Sequence, residues 1–202
     1  GRSLRNIEFS EGVVSALDFG GLRIPLSADD QTILAVPPVV ARALVPGLTV
    51  PESFHAIVNA HLRIAPPQGQ PLILGVVGGL VEWLFAYANR LSVTISCADR
   101  LMDEPREKLA EAIWREVATL TGLDVAMPRW QIVRERRATI AATPAENARR
   151  PETRTTFGNL FLAGDWTRTG LPATIEGSVR SGFAAAAAVS QAAAGTNTRK
   201  AA

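Results

Sequence analysis

An Asp and a helix start, separated by a short loop, are the features of this chain best suited to chemistry. The apolar run Leu160-Phe-Leu-Ala ends in Gly164-Asp165-Trp166-Thr167, and Gly170-Leu-Pro172-Ala-Thr174-Ile-Glu-Gly177 follows. A carboxylate after a strand accepts hydrogen bonds from ribitol or ribose hydroxyls. Gly164 lets the backbone approach a ligand closely. A helix beginning near Pro172 presents unpaired N–H groups and partial positive charge, which stabilises negative charge on a bound ring. Ala173, Gly177 and Ser181 stand at four-residue steps and give that helix a narrow face. Taken alone, Gly-Asp is equally the N-cap of a helix in any α/β core.

Other side chains carry both a chemical and a structural reading. Asn59 and His61, with His55 nearby, can place polar groups in a substrate cavity or simply hydrogen-bond within a strand. Trp83, Phe85 and Tyr87 alternate, so they line an apolar pocket or fill a core. Glu82 and Glu176 are the carboxylates to test for proton transfer, although Glu176 also suits a helix dipole. Arg137 and Thr139 are candidates to face the site. No catalytic residue is singled out. Two histidines and one cysteine, without a ligand cluster, predict no metal site. Cys97 reads as a small buried hydrophobe.

The elements that must hold these residues follow from periodicity. Residues 13–19 and 22–26, joined by Gly20-Gly21, predict a hairpin. Residues 32–36, closed by Pro37-Pro38, suit a buried parallel strand, and a helix follows over Pro38–Leu44. Strands are expected at 54–64, 72–77, 81–87, 91–96, 130–140 and 159–163. Residues 105–121 form an amphipathic helix with Leu109, Ile113, Val117 and Leu120 on one face. Asp103 or Glu104 is its expected cap, and Gly122 its stop. Residues 145–156 read as a polar loop. Residues 172–194 read as a small-residue helix, with a disordered tail at 196–202.

Composition excludes several classes. Of 202 residues, 47% are hydrophobic and 20% charged, which fits a globular protein. Arg134, Arg136, Arg137, Arg149, Arg150 and Arg154 form a patch for phosphate or an anionic membrane, or more plainly a solvated surface. With a net charge of only +2, no nucleic-acid partner is expected. The longest apolar stretch, residues 71–80, is too short to span a bilayer.

The stretch from Leu162 to Thr167, followed by Gly170 to Gly182, resembles the C-terminal FAD motif of flavin amine oxidases, phytoene desaturases and their relatives. Within that superfamily it is most similar to the bacterial hydroxysqualene dehydroxylases. Ala28 to Pro37, Ile57 to His61, Trp83-Leu-Phe, Val93 to Ser96 and Arg134 to Thr139 agree, so the likeness covers nearly the whole chain. The resemblance implies FAD as cofactor. Val36 and Pro37 would end a strand near it, and Asp165 would bind its ribityl–pyrophosphate part. Ala173, Thr174 and Ile175 would present backbone N–H groups to the flavin's pyrimidine edge, and Gly164, Trp166 and Pro172 would complete the cofactor-binding set. Asn59, His61, Trp83 and Phe85 would contact a hydrophobic polyprenyl substrate.

The implied fold is α/β (mixed with α+β). It is the C-terminal part of a two-domain, Rossmann-like FAD-binding fold, with a sheet-plus-helix substrate domain. Residues 1–50 and 141–195 would belong to the FAD-binding domain, and 51–140 to the substrate domain. Such families carry a Gly-x-Gly-x-x-Gly turn, and none occurs here; Gly75-Val-Val-Gly78-Gly79 has the wrong spacing. The expectation is therefore that an N-terminal dinucleotide-binding segment of the same protein is missing. The implied activity is hydride transfer on a polyisoprenoid, in the cytoplasm and peripheral to the inner membrane. The alternatives are carotenoid desaturation, amine oxidation, or a lipid-binding or interaction module that no longer binds FAD.

Overall fold

The structure, a computed structural model, describes residues 1–200, with side chains through Ala193. It divides into two units, Gly1–Ser53 with Ile140–Ala202, and Phe54–Thr139.

In the first unit, β1 (Asn6–Ser10), β2 (Val13–Asp18) and β3 (Arg23–Pro25) form an antiparallel meander. The β2–β3 hairpin turns on Gly20 and Gly21, both at positive φ, as the sequence predicts. β1 was not separately expected. β4 (Thr32–Leu34) pairs in parallel with β10 (Leu160–Leu162), with Thr32 opposite Leu160 and Leu34 opposite Leu162. Helix α1 spans Pro38–Leu44, the range the prolines predict. The segment expected as a polar loop contains α3 (Pro144–Ala148), capped where Thr143 Oγ1 accepts from the Glu146 amide at 3.2 Å. Helix α4 spans Ile175–Lys200, past the end expected near residue 194. Of the disordered tail expected at 196–202, residues 201–202 lie outside the described residues. Val14, Leu34, Val50, Leu160, Leu162 and Trp166 fill this unit's core.

In the second unit, five strands run in the order β6-β7-β8-β5-β9. They are β5 (Phe54–Leu62), β6 (Ile73–Gly75), β7 (Trp83–Tyr87), β8 (Arg90–Ile95) and β9 (Trp130–Ile140). Their even alternation leaves Ala56, Val58, Ala60, Leu62, Leu84, Ala86, Leu91, Val93 and Ile95 on one buried face. Helix α2 (Arg106–Thr121) packs Leu109, Ile113 and Val117 into the same core. Two expectations need correction. Pro105, not Asp103 or Glu104, is the N-cap, and no side chain caps it. Leu120 is 37% exposed, while Ala110 and Trp114 are buried instead. Gly122 ends the helix in the left-handed region, as expected.

The Gly75–Gly79 run is explained here. Gly75 faces the Trp83 ring, where a Cβ would stand 3.3 Å away. Gly79 makes room for Glu116 of α2, whose Oε2 accepts from the Leu80 and Val81 amides at 2.8 and 3.2 Å. Cys97 is exposed rather than buried, in a left-handed conformation before the 3-10 turn Ala98–Leu101.

Candidate functional site

β4 and β10 run side by side, so their carboxyl ends lie together. Ligands of open α/β sheets bind at such ends. The Ala163 amide donates to the Leu34 carbonyl at 3.1 Å, which extends the pairing past the strands. The Trp166 indole then donates to the Val36 carbonyl at 2.9 Å and ties the two strand ends together. Trp166 is 2% exposed, and its ring anchors this unit's core. Gly164 sits at φ +148, and a Cβ there would lie 2.3 Å from the Trp166 indole nitrogen. Its freedom thus serves the approach of Trp166. Its amide donates to Ser181 Oγ at 2.7 Å, and Ser181 Oγ donates to the Ser178 carbonyl at 2.6 Å. This fixes the turn to α4.

Asp165 is half-buried, and its carboxylate makes no hydrogen bond among the described residues. The helix starts later than expected. Thr174 caps it: its Oγ1 accepts from the Gly177 amide at 3.1 Å and donates to the Pro172 carbonyl at 3.2 Å. Pro172 therefore lies in the preceding loop. The amides of Ala173, Thr174, Ile175 and Glu176 find no acceptor among the described residues, and Thr174, Ile175 and Glu176 are exposed. Gly177 lets the helix approach the loop, with a built Cβ only 3.1 Å from the Pro172 carbonyl. Val36 is half-buried and Pro37 exposed, so the predicted cofactor residues gather around one strand-end region and its helix start. Glu176 pairs with Arg180 at 2.7 Å along the helix surface, which is the helix-surface role and not an aimed acid. A separate concavity of about 280 Å³, lined by Val45, Pro46, Leu48, Arg154, Phe157 and Arg168, contains none of the predicted cofactor or substrate residues.

The substrate candidates fall on the second unit's sheet, on the face opposite α2. Strand register brings them into two rows. Trp83 lies opposite Thr94, and Thr94 opposite Asn59; Phe85 lies opposite Ser92, and Ser92 opposite His61. Thr94 Oγ1 donates to Asn59 Oδ1 at 2.7 Å, and His61 Nδ1 lies 3.0 Å from Ser92 Oγ. Partial burial, and then the nearby Arg90, hold the His61 imidazole below its ordinary pKa. Trp83 is 46% exposed on this face. The arrangement is an apolar floor crossed by two short polar pairs. Glu82 points elsewhere, with Oε2 accepting from the Ser96 amide at 2.8 Å.

The arginines of the expected basic patch fall in both units, and Arg149, Arg150 and Arg154 line the first unit's concavity. Arg134 donates to the Met102 and Glu104 carbonyls, and Arg136 pairs with Asp103 at 2.8 Å. In the other unit Arg149 pairs with Glu52 at 2.6 Å, and Arg154 reaches Gln191 Oε1 at 2.9 Å. Two site-building residues escaped sequence reading. Buried Asn159 exchanges hydrogen bonds with both the Val14 amide and carbonyl, at 2.7 and 3.0 Å, and so locks β10 to β2. Arg150 is buried beneath the loop after Asp165. For Asn159 the nearest signal is a polar residue just before an apolar strand, and Arg150 carries none that sets it apart from Arg149. Among the described residues no group of three or more His, Cys, Asp or Glu is placed to hold a metal, and no helix is long and apolar enough to cross a membrane.

Paired parallel strand ends, an unpaired carboxylate and an uncapped run of helix-start amides thus flank one loop of an α/β unit. The chain belongs to the flavin-containing amine oxidoreductase family, whose pattern matches residues 1–190. It is 59% identical over 187 residues to a hydroxysqualene dehydroxylase of Rhodopseudomonas palustris, covering 92% of this chain and 45% of that protein. It is 60% identical over 183 residues to the enzyme of the same name from Sinorhizobium fredii, covering 91% and 44%. The chain thus spans less than half the length of these relatives. Its fold is shared with a putrescine oxidase variant, at TM-score 0.67 and 16% identity, covering 95% of this chain and 47% of that one. A protoporphyrinogen oxidase-like protein from Exiguobacterium aligns at TM-score 0.69 and 16% identity, covering 95% and 46%.

Proposed function

We propose that this chain forms part of an FAD-dependent oxidoreductase that acts by hydride transfer on a polyisoprenoid, replacing the hydroxyl of hydroxysqualene with hydrogen. The observation that carries this reading is the unpaired, half-buried Asp165 carboxylate at one end of a short loop, with the unpaired amides of residues 173–176 at the other. The donor set fits FAD. Asp165 would accept from the ribityl arm, and the amides at the start of α4 would donate to the acceptor atoms of the flavin's pyrimidine edge and favour its anionic reduced form. When bound, reduced FAD supplies the hydride that takes the place of a departing hydroxyl.

In this reading the unit holding Asp165 belongs to the FAD-binding domain, and Phe54–Thr139 to the substrate domain. Trp83 and Phe85 would give the isoprenoid chain an apolar surface, while the Asn59–Thr94 and His61–Ser92 pairs would meet its single hydroxyl. The substrate would be drawn from a membrane, so we include peripheral membrane association on the cytoplasmic side. The activity support is the 59% and 60% identity to proteins named for this reaction.

The test uses the whole gene product that contains these residues. It should purify yellow, release FAD on denaturation, and convert hydroxysqualene to squalene when its flavin is reduced. A colourless protein that FAD cannot reconstitute would instead favour a lipid-binding module.

A further inference from the structure

Arg150 is only 7% exposed, although it lies among the charged residues Arg149, Glu152 and Arg154. Its Nε donates to the Thr167 carbonyl at 3.0 Å and its Nη1 to the Leu171 carbonyl at 2.6 Å. Its Nη2 donates to the Asp165 carbonyl at 2.6 Å and to Thr169 Oγ1 at 3.1 Å. All four acceptors lie in one loop, between the candidate carboxylate and the segment leading into α4. Other ties within the loop are short-range: Thr167 to Gly164, Thr169 to Thr167, and Leu171 to Thr169. From outside it, the Val36 carbonyl accepts from the Trp166 indole and the Pro151 carbonyl from the Arg168 amide at 2.8 Å. Only Arg150 reaches both ends of the loop, at Asp165 and Leu171. Arg150 itself is held from outside the loop, its amide donating to the Asn147 carbonyl at 3.3 Å.

Burying a cation is costly, and burial pushes the Arg150 pKa down while the Asp165 charge opposes that shift. A planar guanidinium presents donors in fixed directions, and three carbonyls plus a hydroxyl match that fork. An ammonium on a flexible stem cannot reproduce it.

We propose that Arg150 is a positioning residue of the cofactor site. It acts through the loop: by fixing the carbonyls of Asp165, Thr167 and Leu171, it sets where the Asp165 carboxylate and the amides after Pro172 stand. This inference rests on reading that region as a flavin site.

The test compares Arg150→Lys, Arg150→Ala and Asp165→Ala in the whole gene product. FAD affinity is read by flavin fluorescence, the site by the visible absorbance band, and folding by circular dichroism of the flavin-free protein. Arg150→Lys should weaken FAD binding by about tenfold or more and alter the flavin band, with near-normal melting. Added guanidinium, but not ammonium, should restore binding to Arg150→Ala. If Arg150→Lys fails to fold, Thr169→Val removes one acceptor alone and should weaken FAD binding about threefold. Normal FAD binding and an unaltered band in Arg150→Lys, or in Thr169→Val where the lysine variant does not fold, overturn the proposal. The flavin reading survives that result if Asp165→Ala loses FAD. If Asp165→Ala also binds FAD normally, the flavin reading itself fails.

Discussion

The two units hold their surface side chains by different means. In Phe54–Thr139 the pleat does the arranging: Trp83, Thr94 and Asn59 share a face because alternation and register put them there. Helix α2 seals the other face. In the unit containing Asp165, two short parallel strands cannot set a site by register alone. Single long-range side chains do it: Asn159 to Val14, Trp166 to Val36, Ser181 to Gly164, and Arg150 to the loop. A face set by a pleat should tolerate single changes, whereas a site set by individual staples should not.

Matched substitutions sharpen that contrast. Trp166→Ala should be the most damaging, costing about 4 kcal/mol through a core cavity and a lost indole hydrogen bond. Denaturant unfolding measures it, and amide exchange should localise the loss to the unit containing Asp165. Gly164→Ala should cost about 3 kcal/mol, because the new Cβ meets a pinned indole at a φ that L-residues avoid. Gly79→Ala clashes even more closely, at 1.8 Å from Glu116 Oε1, yet should cost only about 1 kcal/mol. The carboxylate end can swing aside, surrendering its bonds to Leu80 and Val81. Trp83→Ala, on the open face, should cost less than about 1 kcal/mol while raising KM for a polyisoprenoid. Equal losses for the two tryptophans would break the comparison.

The smallest effect concerns pH. The folded protein holds the His61 pKa down, so the unfolded chain takes up the proton first as pH falls. Stability should therefore decline slightly as pH drops through the ordinary imidazole range, near 6.5, and His61→Gln should flatten that decline. Melting temperatures measured across that range check it.

The same contrast explains what could be read in advance. Period and punctuation are local, so α1, α2, the β2–β3 hairpin and the strands of the second unit were legible. The Gly-Asp turn and the small-faced helix were legible as a motif. The helix start was misplaced because Pro172 resembles a first-turn proline, whereas Thr174 supplies the cap. Arg150 was hidden because a buried arginine looks, in sequence, like its solvated neighbours Arg149 and Arg154. Nothing local to Trp166 reveals its hydrogen bond to Val36, which spans 130 residues of sequence.

The most direct test is amide hydrogen exchange on the whole gene product with and without FAD. The account predicts that FAD slows exchange at residues 164–166 and 173–176, with Asp165→Ala erasing the effect. FAD binding that leaves both segments exchanging at their unliganded rates would contradict it.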